Sequence, residues 1–413
     1  NHLLRTLPPH EVGEYASRHD QAIWGTLMRI LGDPALDDDV EAHAQALATL
    51  PRRLGGLGLQ SASRAAPGAY WAAWADGLPV LRERRPQEAH QLTALLAWNL
   101  SGRAGGVEAA VASGRTLAAE GFAAPSWSAL YEGARPPPPR DRSDEAEPGE
   151  WQHGWQFHAC SRLNHHFQEQ VLIPRLSAPR RAMLRSCSGP QAGTWLQTMP
   201  TCSGTRMTPQ AFQVCLRRRL RLPLPLAQHT CGRTAGRGCA SRIDALGDHL
   251  AACNRTGFLA RRATPLERTW TRVAREAGAR VAHKELLRYT NDPLANPADQ
   301  RQLDLVAYGI HPQGLALCCD ATMVSPLTRQ GNATARAAAV DGAAIGRAER
   351  KKRRRYPELL SSPFGRLVVL ACEVGGRWSD TSLRFVAGLA KHKARAAPAL
   401  LRSSARAAWL SRW

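Results

Sequence analysis

The chain has 413 residues, with 55 Lys and Arg against 34 Asp and Glu, a formal charge of +21 and an apolar fraction of 44%. That apolar content excludes a wholly disordered chain, and the length suits two or three domains with buried cores. No run approaches the ~18 uninterrupted apolar residues of a membrane span, so no membrane is expected among the partners.

In chain order, residues 10–50 read as helices, with apolar periodicity through Ala22, Ile23, Leu27 and Ile30 and a stop at Gly32-Asp33-Pro34. Asp37-Asp38-Asp39 reads as an acidic loop or a helix start. The stretch from Leu50 to Leu59 is turn-rich, and an Ala-rich helix with Tyr70, Trp71 and Trp74 follows Ser61. Further helices are expected over 86–132. Four prolines, Pro136 to Pro139, and a charged run from Asp141 to Glu150 then read as a linker.

Residues 151–222 carry an irregular helical pattern, and residues 229–253 concentrate Cys, His and Gly. One amphipathic helix is expected over 261–278, using Leu266, Trp270, Val273 and Ala274 and ending at Gly278. The period then changes to two. Strands are expected from Gln302 to Tyr308 and from Gly314 to Val324, joined by a turn at Gly309–Gln313. An Ala-rich helix over 332–355, a third strand from Leu367 to Val374 and an Arg-rich helical end complete the pattern. Asn1 to Pro9 show no signal-peptide pattern and no initiating Met, so the chain is expected to be a piece of something longer.

The charge is unevenly spread. Residues 1–150 carry 14 basic and 19 acidic side chains, whereas residues 151–413 carry 41 basic and 15 acidic. Only five of the basic residues are Lys (284, 351, 352, 391 and 393), and this Arg excess is typical of GC-rich coding. Coding bias would raise Arg everywhere, so the asymmetry points to a polyanion-binding C-terminal portion, with nucleic acid as the leading partner. The ten Cys all follow residue 150, in a chain too long to need disulfide staples. A reduced compartment and metal ligation are the expectations.

Three constellations carry chemistry. Cys231, Cys239, His249 and Cys253 could close a tetrahedral Zn2+ shell, with Gly232, Gly236, Gly238 and Gly247 letting the loop wrap the ion. Seven residues separate the first pair, wider than the usual two to four, and His229 is an alternative ligand. The bland alternative is a loop of free cysteines. Asp304 and Asp320 stand on adjacent expected strands, where two carboxylates in register suit a hard divalent cation. In strict alternation Asp304 shares a face with Gln302 and Val306, and Asp320 with Cys318 and Thr322. Glu285 is the preferred third oxygen ligand and Glu267 a weaker choice; the competing reading has both aspartates at strand ends facing water. Arg350, Lys351, Lys352, Arg353, Arg354 and Arg355, followed by Tyr356, form a phosphate-binding or nuclear-targeting run. A solvated helix end would need only one or two cations.

These residues resemble a family. The segment from Gly247 to Cys253, the following helix, Arg301-Gln302-Leu303-Asp304, Cys319-Asp320-Ala321-Thr322 and Lys352-x3-Tyr356 look like the C-terminal part of certain non-LTR retrotransposon polyproteins. Those carry a restriction-like endonuclease behind a Cys-Cys-His-Cys zinc knuckle. Leu50-Pro51-x2-Leu54-Gly55-Gly56-Leu57-Gly58 resembles the segment after a reverse transcriptase palm. The resemblance implies an α+β chain: a helical region over 1–134, a linker over 135–150 and a basic helical region over 151–225. A zinc knuckle over 226–258 and a restriction-like α/β domain with a mixed central sheet over 259–413 would follow. It implies Mg2+ at Asp304 and Asp320, assisted by Lys352, and Zn2+ at the knuckle. Nucleic-acid contacts would come from Arg301, Tyr356 and the basic run.

The implied activity is nicking of a DNA target in the nucleus, to prime reverse transcription of element RNA. The alternative is a decayed or truncated copy that only binds nucleic acid. Leu303 replaces the family's usual Pro, and fifteen residues separate the two acids. The paired aspartates of a polymerase palm are missing, so no reverse transcriptase site is expected in this chain.

Overall fold

The computed structural model describes residues 2–98, 105–136, 154–200, 206–226, 230–232, 239–255, 258–290 and 296–413. They form an α+β protein of two compact units, Asn1–Pro51 with Leu57–Arg175 and Arg52–Gly56 with Leu176–Trp413. No helix among the described residues is long and apolar enough to cross a membrane.

The first unit is helical, with α1 (His2–Thr6), α2 (Pro9–Ile30), α3 (Asp38–Thr49), α4 (Ala62–Arg84), α5 (Pro86–Trp98), α6 (Gly105–Ala119), α7 (Trp127–Tyr131), α8 (Trp155–His166) and α9 (Ile173–Arg175). Helix α2 stops where Gly32 and Asp33 take positive φ, and Asp37 then stands at the N-cap position of α3. Asp38, Asp39 and Glu41 fill the first turn of α3, where their charge complements the helix dipole. The triple aspartate is thus a helix start. The core gathers on α4, whose Trp71 is 1% exposed and meets Phe122 and Trp155 edge-on at 5.3 and 5.8 Å between ring centres. Each such pair adds about 0.5–1.5 kcal/mol beyond burial. This unit continues through α9; of the expected linker, residues 137–150 lie outside the described residues.

The second unit contains α10 (Ala178–Cys187), α11 (Pro209–Leu220), α12 (Asp248–Ala252), α13 (Phe258–Glu276), β1 (Arg280–His283), β2 (Leu305–Tyr308), β3 (Ala316–Val324), α14 (Ala343–Arg355), β4 (Gly365–Glu373), α15 (Asp380–Ala394) and α16 (Arg402–Arg412). The strands form one mixed sheet in the order β1-β2-β3-β4. The first two pairings are antiparallel, and β3 pairs β4 in parallel. A parallel pair needs a crossover connection, and α14 supplies it.

One sheet face, with Leu305, Ala307, Leu317, Cys319 and Leu370, packs against Trp270 and Val273 of α13 and Phe385 and Leu389 of α15. The opposite face carries Val306, Ala316 and Cys318 against Leu303, Tyr356 and Leu359, and Val369 and Ala371 against Ile345 of α14. The sheet is therefore sandwiched between helices.

Three elements differ from expectation. The strand expected from Gln302 begins at Leu305, because Leu303 and Val306 share one apolar cluster and the backbone bends at Asp304. Strict alternation therefore fails at Asp304. The helix expected over 332–355 starts only after Gly342, whose φ of +67° breaks it from the Ala-rich stretch before. Strand β1, only four residues long, was not anticipated.

Candidate metal cluster and acidic centre

Cys231, Cys239, His249 and Cys253 offer ligand atoms that all lie within 4.8 Å of one another, so they can hold a metal such as zinc. The wide first spacing is closed by the backbone. Cys231 N–H donates to the Ser241 carbonyl at 2.9 Å, and Ala240 N–H donates to the Cys231 carbonyl at 3.2 Å, bringing both thiols to the neck of one loop. Cys253 Sγ lies 3.9 Å from Cys231 Sγ and 3.8 Å from Cys239 Sγ. A tetrahedral ion with Zn–S bonds of about 2.3 Å requires sulfurs about 3.8 Å apart, which these separations match. Cys239 Sγ stands 3.3 Å from His249 Nε2, and His249 Nδ1 is hydrogen-bonded to the Arg329 carbonyl at 2.8 Å. A carbonyl can only accept, so Nδ1 carries the proton and Nε2 is left as the ligand atom. His229, Gly236 and Gly238 lie outside the described residues.

The cluster is held from outside. Asp244 accepts N–H donors from Leu246, Asp248 and His249 at 2.7–3.0 Å, fixing the start of α12. Burial pushes its carboxyl up, but these donors outweigh it and hold the group below its ordinary range. Asp248, 4% exposed, takes a two-pronged hydrogen bond from Arg221 at 2.8 and 2.5 Å, with Arg218 at 3.6 Å. Paired this way, a buried carboxylate is tolerated.

The acidic centre is built on the sheet and its flanking helices. Asp304 sits at the bend before β2, and its Oδ2 accepts the Ala321 N–H at 2.7 Å. That bond ties its carboxylate to β3 beside Asp320, itself 2% exposed. Burial and then the Asp320 charge push the Asp304 carboxyl up to about 6. Lys352, on α14, places its ammonium 2.5 Å from Asp320 Oδ1. Lys284, just after β1, lies 2.5 Å from Glu267 of α13 and 3.6 Å from Asp304. For Lys284, burial opposes charging, but the Glu267 hydrogen bond and the Asp304 charge hold its ammonium above the usual range.

Several expected site residues lie elsewhere. Glu285 is outside this group: its backbone carbonyl accepts Leu303 N–H at 2.8 Å, and its charge acts on Tyr308. Glu267, the weaker choice, is the third acid at the centre. Tyr356 is 0% exposed and donates its hydroxyl to the Gln302 carbonyl at 2.8 Å, so it cannot touch nucleic acid as expected. Burial, then the Asp320 charge, pushes its phenol up. Arg301 is engaged by Asp299, Glu358 and the Arg355 carbonyl, so its guanidinium braces the end of α14. Arg350, Lys351, Arg353, Arg354 and Arg355 are exposed on α14.

Sequence reasoning did not anticipate the Lys284–Glu267 pair or the Arg221–Asp248 pair. The rarity of Lys is a signal for the first; nothing local marks the second. No family model matches the chain, and no curated protein matches it.

Proposed function

We propose that this chain is the C-terminal part of a non-LTR retrotransposon polyprotein, and that its second compact unit is a restriction-like DNA endonuclease. The carrying observation is the gathering of Asp304, Asp320 and Lys352 from the bend before β2, from β3 and from the crossover helix, distant in sequence and adjacent in space. A carboxylate at the strand entry, a second on the neighbouring strand and a crossover-helix ammonium form an arrangement suited to phosphodiester hydrolysis.

Asp304 and Asp320 would hold Mg2+, which when bound supplies Lewis acidity for water activation and for charge at the phosphorus. The chain's own residues do the rest. Lys352 presents an ammonium beside Asp320 to offset developing charge on the scissile phosphate. The exposed cations of α14 attract the DNA backbone toward that same helix. The Cys231/Cys239/His249/Cys253 cluster, as a zinc knuckle, gives a rigid basic module for target DNA or element RNA. Nicking in the nucleus would leave a 3′ hydroxyl to prime reverse transcription by a polymerase encoded outside this chain.

The test is nicking of supercoiled plasmid in Mg2+ with DNA binding measured in parallel. Loss of nicking in Asp304→Ala and Asp320→Ala with binding retained supports the reading. Wild type and both variants behaving alike would sink it, leaving a nucleic-acid-binding remnant.

A further inference from the structure

Lys284 is placed unlike an ordinary surface lysine. Its φ of +58° lies in the left-handed region, which costs a side-chain-bearing residue about 1 kcal/mol or more. The backbone is pinned there from both sides. Its N–H donates to the Asp304 carbonyl at 2.9 Å, and its carbonyl accepts from Gln302 Nε2 at 2.7 Å. Held in this way, its ammonium reaches two carboxylates at once, Glu267 at 2.5 Å and Asp304 at 3.6 Å. Glu267 is 4% exposed and would otherwise be a buried anion.

The local charge count decides what the centre can accept. Asp304, Asp320 and Glu267 are opposed by Lys284 and Lys352, leaving a net of one negative charge among these five groups, with His283 Nε2 also 3.8 Å from Glu267. A two-ion nuclease centre places its cations about 3.5–4 Å apart on shared carboxylates. Here the place between Asp304 and Glu267 is already taken by an ammonium. Among the described residues, moreover, these three acids do not gather as a metal-ligand set of the kind the Cys/His cluster forms.

We propose that Lys284 is a resident cation standing where a second divalent ion would sit, so that the acidic centre takes one divalent ion, between Asp304 and Asp320. Lys284 is on this view a positioning residue that fixes metal number through Glu267 and Asp304. The inference rests on the endonuclease reading for the metal itself and goes beyond it in setting the count.

The test counts Mn2+ bound to the full, zinc-loaded chain, by the electron paramagnetic resonance of the free ion. Wild type and Lys284→Arg should each take one Mn2+ that is lost in Asp304→Ala; Lys284→Met should take two. The apparent Mg2+ order of nicking should rise with it, from one to above one. Two Asp304-dependent ions in wild type, or one in a folded Lys284→Met, would overturn the inference and leave the endonuclease reading standing. No Asp304-dependent ion at all would overturn both. Should Lys284→Met fail to fold by circular dichroism, Lys284→Gln is counted in its place: two Asp304-dependent ions support the inference and one overturns it.

Discussion

Lys352 and Asp320 are 32 residues apart in the chain, yet the ammonium of one lies 2.5 Å from Oδ1 of the other. Their partnership depends on β3, α14 and β4 being wound as one crossover, so the pair reports the fold and the chemistry together.

Replacing Lys352 by Met removes a charge donor from the site and leaves Asp320, 2% exposed, without its cation. Single-turnover nicking should fall roughly 10²–10³-fold, the loss typical of one electrostatic donor. The melting temperature should fall as well, because an unpaired buried carboxylate is costly. Lys352→Arg should recover the melting temperature more fully than the rate.

The Asp304 carboxyl is pushed up to about 6 by burial and by Asp320, above the ordinary aspartate value near 3.9. Between those values the metal-free folded chain binds more protons than the unfolded chain, so this group destabilises the fold above pH 6. That penalty is relieved as pH falls from about 7 to 4. Asp304→Asn should therefore raise the metal-free melting temperature at pH 7.5 and raise it less at pH 4.5. Divalent-ion affinity should run the other way, dropping below about pH 6 as the ligand protonates. Thermal melts and Mn2+ titrations at both pH values check the two signs.

Zinc analysis of purified protein should give one ion per chain, and Cys253→Ser should abolish it. Chelation should lower the melting temperature, because ligand gathering and folding are linked. Asp248→Ala should cost about 3–5 kcal/mol by leaving Arg221, 5% exposed, without its partner. Denaturant titration measures that cost.

The exposed cations of α14 predict a salt signature. Changing Arg350, Lys351, Arg353 and Arg354 together to Gln should weaken DNA binding across sequences. It should reduce the slope of log affinity against log salt by roughly three to four, at about 0.9 per phosphate contact. Changing Arg301 should instead lower stability, since Asp299 and Glu358 hold it.

Much of the second unit was legible because its strands are apolar runs and α13 has a clean amphipathic stripe. Strand β1 was not, since Arg280-Val281-Ala282-His283 is too short to show a period and pairs only through β2. The Ala-rich stretch before Gly342 reads as helix by propensity, but Gly342 and the ladder contact of Leu327 with Ala333 override it. Asp304 and Asp320 could be singled out because acids are scarce among apolar strand residues. That Glu267 rather than Glu285 completes the group follows from the bend at Asp304, which pairs Lys284 with Asp304 across the strands. Tyr356 shows the converse: next to six cations it looks like a nucleic-acid contact, yet its ring plugs the sheet face.

The hydrogen bond from His249 Nδ1 to the Arg329 carbonyl reaches from the cysteine loop to the turn that follows Asp320's strand. A copy of this sequence that lost one thiol would therefore slacken the segment leaving the acidic centre, with every acid still in place. Inspection of the acids alone would score such a copy as intact, whereas the endonuclease proposal expects a nicking assay to score it as impaired.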